Sequence, residues 1–440
     1  MRKFWLDCVI ATAFVFLAMW GIFGLTQSKL FNLLDPIGQA LADVELTDYV
    51  FSDLRLEEPN VDQNVVIVNI GELSRGQIAE QINIISKYKP KVIGIDGFFD
   101  CKTGLRDTVN CPLLLDTIGN QMLSKAIKDA GNVVLVSKVL NKRNTLDVNI
   151  LDSLRRSDAI FLDHAMSDGF ANLDTDAAFQ DDVKTCRNFN PQLIVSESVL
   201  RAFSVEVAMA YDSTLTKKFL DRDNFSEVVN YRGNVFDIFG TTKYPQMFYT
   251  LDVQDVATEN FVSEMIKDKI VLFGYLGREL GDPSWADKFY TPLNEKNAGK
   301  ANPDMFGVVV HANIVSMILN EDFVEKMSPW QEIAIAVLIC MLNVALFSLI
   351  NTRLPLWYDG ITKLLQFSQV VIYAILMILI FAWYEYKFNI TLTVAAVALV
   401  GDVYEIYMSV VKNSFFKFMN WISFTQKKNN VLIEETSDKP

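Results

Sequence analysis

Histidine is nearly missing from this chain: two in 440 residues, His164 and His311. So low a count excludes a histidine-rich metal centre and leaves a catalytic imidazole few possible seats. No nucleophile elbow and no H-E-x-x-H stretch is present, which argues against a hydrolase of either kind. The glycine-bearing stretch "GYLGRELGD" (274–282) lacks the Gly-Lys-Ser/Thr of a P-loop and a full dinucleotide fingerprint. Positive charge is also short. Forty Lys+Arg face 53 Asp+Glu, a net charge of −13, so there is no basic footprint for nucleic acid. No cofactor and no resident metal is expected from these patterns.

Apolar residues are in excess, with hydrophobic types at 51% and 31 phenylalanines, and they concentrate at the two ends. Residues 4–25, "FWLDCVIATAFVFLAMWGIFGL", follow Arg2 and Lys3 and are long enough to cross a bilayer core, which takes about 20 apolar residues. No small-residue cleavage site follows, so the run reads as an uncleaved anchor. Three further runs, 329–350, 367–386 and 390–411, close the chain. Arg353 and Lys363 lie between the second and third runs, and Lys412, Lys417, Lys427 and Lys428 lie after the fourth. By the positive-inside rule both termini are then cytoplasmic. The expected organisation is an anchor in 1–26, an external domain in 27–328, three spans in 329–411 and a cytoplasmic tail in 412–440. The external part carries 30 Lys+Arg against 44 Asp+Glu, a net charge of −14, so the acidity belongs to the exported face.

The five cysteines divide between these regions. Cys8 and Cys340 fall in spans as packing residues, while Cys101, Cys111 and Cys186 are external, where disulfides persist. Cys101 and Cys111 bracket a turn-like insert and are predicted to pair, closing a short loop that contributes about 2–3 kcal/mol.

Between 65 and 320, β-branched runs alternate with helical patterns. The strand candidates are 65–70, 91–96, 132–137, 227–231 and 269–275, and helices are expected near 76–89, 117–131 and 197–212. In the first helical stretch Ile78, Ile82 and Ile85 recur at helical spacing. Near-continuous apolar strands alternating with helices imply an α/β domain, a mostly parallel sheet covered by helices, ahead of the α-helical spans. "FGVVVHANIVSMILN" (306–320) could start as a strand, but Ile314, Val315, Ile318 and Leu319 share a helical face, and His311 lies one turn before Val315. A packing role suits that histidine better than catalysis.

Taken in order, "VVIVNIGELS", "KPKVIGIDGFFD", "DGFANLDTD", "EVVNYRGN", "DKIVLFGYLGRELGD", "YTPL" and "FGVVVHANIVSMILN" resemble the second type of CHASE domain. That is the cyclase- and histidine-kinase-associated sensory extracellular domain of bacteria. The resemblance covers roughly residues 40–325. It implies an anchor span before the sensor, and three spans after it that carry its state to a cytoplasmic output. The chain departs from the family pattern at Glu72 and at Ala177. No kinase or cyclase fits in the residues after Val411, so the output is expected on a separate protein.

Four groups of residues are candidates for function. Open α/β sheets hold ligands at the C-terminal ends of their strands, which places Asp96, Gly97, Arg278 and Asp282 near such a crevice. The glycines of 274–282 read either as a structural turn or as an anion cradle. "DTDAAFQDD", with Asp174, Asp176, Asp181 and Asp182, lacks the Gly and Glu of a calcium loop and reads as a solvated loop or a loose cation site. Asp402 and Glu405 share a face of the last span, where an unpaired charge costs about 2–3 kcal/mol or more. They are expected to bond Asn343 or Asp7 inside the bundle, or to let the span slide so that Glu405 reaches the inner interface, or to form a proton-linked or assembly site, since no Lys or Arg within the spans could neutralise them. In the tail, Phe415, Phe418, Met419 and Ile422 make an amphipathic face for the inner leaflet or for a partner's groove.

The expectation is a non-enzymatic subunit of the bacterial inner membrane. It would sense a periplasmic ligand or protein and relay its state to a separate membrane or cytoplasmic protein, or to a second copy of itself. A structural subunit of an envelope complex and an ion- or proton-coupled component using Asp402 and Glu405 are the alternatives.

Overall fold

The computed structural model describes residues 2–26, 45–54, 60–100, 116–140, 153–173, 185–195, 197–235, 246–294 and 302–412. The expected Cys101–Cys111 disulfide, the acidic run from Asp174 to Asp182 and the tail residues Phe415, Phe418, Met419 and Ile422 lie outside them. The described cysteines, Cys8, Cys186 and Cys340, are buried thiols. The chain divides into two compact units: Gly38–Val324, and Met1–Ile37 together with Glu325–Pro440.

The first unit is built on a seven-stranded sheet. Its strands are β1 (Val65–Asn69), β2 (Val92–Ile95), β3 (Val133–Leu140), β4 (Ser153–Arg156), β5 (Ser167–Phe170), β6 (Tyr249–Leu251) and β7 (Ile270–Gly274). The order is β6-β1-β7-β2-β3-β4, with β5 also pairing β3, and only the β3–β4 pair is antiparallel. The strands β1, β2 and β7 are buried at every position, which is what a parallel sheet covered on both faces requires.

Helix α2 (Arg75–Lys87) is started by Ser74, whose side chain accepts from the Gln77 amide while the Gln77 side chain reaches back, a capping box. Helix α3 (Thr117–Ala130) is capped by Asp116 and stopped by Gly131 in the left-handed conformation at φ 69°. Ile78, Ile82 and Ile85 from α2 and Leu123 and Ile127 from α3 pack on Val66, Val68, Ile93, Ile95, Val271 and Phe273. Each such side chain contributes about 1.5–3 kcal/mol by leaving water.

Two further helices, α4 (Phe203–Tyr211) and α5 (Gly307–Leu319), meet the strands at positions where a side chain is excluded. A Cβ on Gly94 of β2 would lie 2.9 Å from Val207, and one on Gly274 of β7 would lie 2.4 Å from Val308. Glycine at these two places lets the helices come down onto the sheet.

Two expected elements differ. Residues 227–231 stay outside the main sheet: Glu227–Val228 pairs with Asn188–Phe189 instead. The helix expected over 197–212 begins only at Phe203, because Ser198–Arg201 forms a hairpin with Gln192–Val195. The adjacent Val199 and Leu200 in "ESVLR" fit either period, and pairing with a neighbouring strand decides it. Helix α5 starts at Gly307 with no strand-like beginning beyond Met305–Phe306.

The second unit holds four helices long and apolar enough to cross a membrane: α1 (Arg2–Thr26), α6 (Pro329–Arg353), α7 (Tyr358–Tyr384) and α8 (Thr391–Ile406), the last continuing as a π-helical turn, Tyr407–Lys412. They fit a multi-pass membrane protein. Ser328, Pro329 and Gln331 start α6 with a capping box and proline in the first turn. Cys8, Ala11 and Val15 of α1 pack with Cys340, Val344 and Phe347 of α6 and with Ala396, Val400 and Tyr404 of α8. Glu325 and Lys326 pair with Tyr386 and Lys387 in a short parallel ladder, tying the start of α6 to the turn before α8.

Candidate functional site

The parallel strands deliver four loops to one end of the sheet, and Asn69, at the end of β1, ties together the three that follow β1, β6 and β7. Its Nδ2 donates to Asp252 Oδ1 at 2.8 Å and to the Gly277 carbonyl at 3.1 Å. Its Oδ1 accepts from the amides of Gly71 and Leu276, both at 2.9 Å. Asp252 in turn accepts from the Leu280 amide at 3.1 Å. The residue is fully buried, so these bonds satisfy an amide that would otherwise cost about 1–3 kcal/mol.

Arg278 and Asp282 come together here. The Arg278 amide donates to Asp282 Oδ2 at 3.0 Å, and the guanidinium lies 3.9 Å from Asp282 and 3.5 Å from Glu72. Backbone bonds from Arg278 and Ser284 hold the Asp282 carboxyl below its usual range. The Arg278 side chain is 74% exposed, so its ion pairs contribute little to stability. Gly277 has φ 96°, and a Cβ there would lie 2.5 Å from that of Asp282. The amides of Leu276, Arg278 and Leu280 are spent on Asn69, Asp282 and Asp252, which weighs against an anion cradle in this loop.

Asp96 belongs to a different pair. It follows β2, with its amide bonded to Phe273 O at 2.7 Å, and the Cβ position of its neighbour Gly97 lies 3.9 Å from Ile70. Burial and the nearby charge of Asp287 push the Asp96 carboxyl up to about 8, and burial pushes Asp287 up to about 6. Asp287 has φ 56°, a strained conformation for a non-glycine residue, and its carboxylate lies 3.3 Å from the Cβ position of Gly307, the first residue of α5. The Asp96 carboxyl, raised chiefly by burial, keeps its proton at neutral pH. No group of three or more His, Cys, Asp or Glu among the described residues could hold a metal ion.

His311 lies in the middle of α5, 3% exposed. Its Nδ1 is 2.7 Å from Ser204 Oγ, and its ring meets Phe203 edge-on at 5.2 Å. Burial lowers its pKa to about 4, so it is neutral and fastens α5 to α4. Two residues on, just over half a helical turn away, Asn313 accepts from the Arg232 amide at 3.0 Å and donates to the Gly233 carbonyl at 2.9 Å, clamping the loop 230–234. Asp304 accepts from the Thr291 amide at 2.8 Å, the Thr291 hydroxyl at 2.5 Å and Asn294 Nδ2 at 3.3 Å, and burial raises it to about 7. Sequence reasoning passed over Asn69, Asp287, Asp304 and Asn313. The signal available was a polar residue inside an otherwise apolar run, as in "VVIVNI" and "GVVVHANIV".

The helical unit corrects the expectation for Asp402. Lysine 363 forms an ion pair with it, because α7 begins at Tyr358 and carries Lys363 on its early turns. A cation therefore does reach Asp402 from a neighbouring helix. Asp7 accepts from Tyr407 Oη at 2.8 Å and from Lys412 Nζ at 2.5 Å rather than joining Asp402. Asn343 donates to Ile339 O, one turn back on its own helix, at 3.0 Å. Glu405 is exposed. These four residues form no single polar site.

No curated protein and no solved structure matches this chain. The model of the CHASE2 domain matches residues 14–347, from inside α1, through the whole sheet unit, to inside α6. The chain belongs to the CHASE2 domain family, a family of sensory extracellular domains.

Proposed function

We propose that this protein is a sensory subunit of a bacterial inner membrane, with the sheet unit in the periplasm and both termini in the cytoplasm. The sheet unit binds a ligand or protein, and the four helices relay the outcome to a separate partner. The observation that carries this reading is the extent of the family match, which includes parts of α1 and α6 along with the sheet unit. Sensor and flanking helices are thus matched as one piece. A ligand shifts such a device only by its difference in affinity between two states, so binding and relay are separable.

The test is capture of the partner by the full chain in lipid nanodiscs, with and without Glu at Phe418 and Ile422 in the tail. Release of one stoichiometric protein by the double substitution supports the relay. An unchanged set of captured proteins removes the tail from it. A cysteine at Ser28 that labels only after the inner membrane is broken overturns the orientation.

A further inference from the structure

The four helices of the second unit are held in two different ways. Helices α1, α6 and α8 share an apolar interior, in which Ala11 and Val15 meet Val344 and Phe347 and Ala396 and Val400. Among the buried members of that cluster α7 supplies only Tyr358. Over its 27 residues α7 buries four side chains, Tyr358, Thr362, Gln366 and Phe381, and only the last is wholly apolar. Near its N-terminal end the bonds to α8 are polar. Tyr358 Oη donates to the Gly401 carbonyl at 3.2 Å, and Gln366 Nε2 donates to the carbonyls of Val397 and Ala398, both at 2.9 Å. Lys363 pairs with Asp402 beside them.

That seam is also unfinished. Gln366 Oε1, Gln369 Oε1 and Thr393 Oγ1 are sealed from solvent and have no hydrogen-bond partner. Gln369 shares a helix face with Gln366, and Thr393 lies one turn before Val397, so all three belong to the contact between α7 and α8. A polar atom buried without a partner penalises the packed arrangement. A small parting of the two helices makes room for water, entering past the half-exposed Lys363 and Asp402, and water supplies the missing donors.

The C-terminal end of α7 is fastened differently. Phe381 is buried there, and Tyr386 and Lys387 pair in parallel with Glu325 and Lys326. The amides of Glu325 and Met327 donate to the carbonyls of Glu385 and Lys387 at 3.1 and 3.2 Å. Residues 325 and 326 follow directly on Val324, the last residue of the sheet unit. A pull on the chain where it leaves that unit therefore reaches α7 through backbone bonds.

We propose that α7 is the moving helix of the relay: it pivots at the ladder, and its N-terminal half parts from α8 while α1, α6 and α8 stay together. This rests on the sensory reading above and names its moving part. A helix in lipid gains no hydrophobic attraction from its neighbours, so a few polar bonds decide whether it stays docked. An input then shifts the balance between docked and parted states by its difference in affinity for them.

Double electron–electron resonance on the full chain in nanodiscs tests this, with spin labels carried on non-canonical residues so that the natural cysteines stay in place. Labels at Leu6 and Leu364 report the N-terminal end of α7 against α1. Leu6 with Leu349 and Ile22 with Trp383 report α6 and the C-terminal end of α7. The Leu6–Leu364 distance is expected to have two components. Tyr358→Phe, which removes one grip, raises the longer component at least threefold. Gln369→Leu together with Thr393→Val, which removes unpartnered atoms and no bond, lowers it at least threefold. Met327→Pro, which deletes a ladder bond, changes the ratio, while the other two pairs keep one distance throughout. The proposal is overturned if Leu6–Leu364 shows a single distance in the parent and all variants, if Leu6–Leu349 splits in step, or if Met327→Pro leaves the ratio unchanged. Partner capture by the same preparation keeps the two ideas apart. Capture with α7 fixed removes this inference and leaves the relay standing, whereas a moving α7 with no partner captured does the reverse.

Discussion

In the sheet unit Asp48 and Arg187 form an ion pair with side chains only 2% and 8% exposed, at 2.6 and 2.8 Å, whereas in the helical unit Lys363 and Asp402 are 56% and 54% exposed. Lys412 and Asp7 are intermediate, at 30% and 27%. The sheet unit can bury charge because its loops bring backbone amides and planar guanidinium groups to fixed places. Asp304, raised to about 7 by burial, takes three hydrogen bonds, and no cation pairs with it among the described residues. A long helix spends its amides on itself, so an acid there is served by a lysine reaching across from a neighbour. Depth then sets energy: a dry pair is costly to break, and a wet one costs little.

Asp48→Ala should therefore have the largest effect. It strands the Arg187 guanidinium and is expected to cost about 3–5 kcal/mol, read by thermal unfolding of the detergent-solubilised chain. A loss below that of a surface substitution would show that Glu45, 4.0 Å from Arg187, takes over. Asp304→Ala comes next, at about 3 kcal/mol, since it leaves the buried Thr291 amide and hydroxyl without this acceptor, while Asn294 keeps its bond to the Asn302 carbonyl at 2.9 Å. Asp304→Asn should recover part of the loss, because the amide oxygen still accepts.

Asp96→Asn is expected to act through pH and with the opposite sign. Folded, Asp96 keeps its proton up to about pH 8, while an unfolded aspartate releases it near about 3.9. The folded chain binds the extra proton between those values, so stability falls as pH rises through that window. The Asn variant should gain about 1 kcal/mol or more at pH 8 relative to the parent, and nothing at pH 4. Parallel melting curves at all pH values would contradict this. The smallest effect belongs to Asp402→Asn, less than about 1 kcal/mol in melting temperature measurements, as for any exposed pair. A larger loss would mean that the pair is dry in the membrane and would erase the contrast between the two units.

Local pattern made much of this readable in advance. The isoleucines of α2, the helix over 117–131 and the four long apolar helices all follow from spacing within a few residues. So did the packing role of His311, since no second histidine or cysteine stands near it in sequence. The early start of α7 was not readable. "YDGITKLLQF" is too polar to be judged a span, and the helix there is supported by Tyr358 Oη on the Gly401 carbonyl and by Gln366 Nε2 on the carbonyls of Val397 and Ala398.

Composition and periodicity determined the class of each segment: strands where β-branched residues run together, amphipathic helices between them, and spans where about 20 apolar residues follow one another. Tertiary structure alone decided that β7, late in the chain, sits between β1 and β2, and that β6 takes the edge. It also decided that the charge of Asp287 acts on Asp96, that Asp62 meets Ser316, and that Lys363 reaches Asp402. The physical reason is range. A helical or strand period is fixed by neighbours a few residues away, but a charge's partner is set by which strands lie side by side, and hydrophobic periodicity is blind to that order.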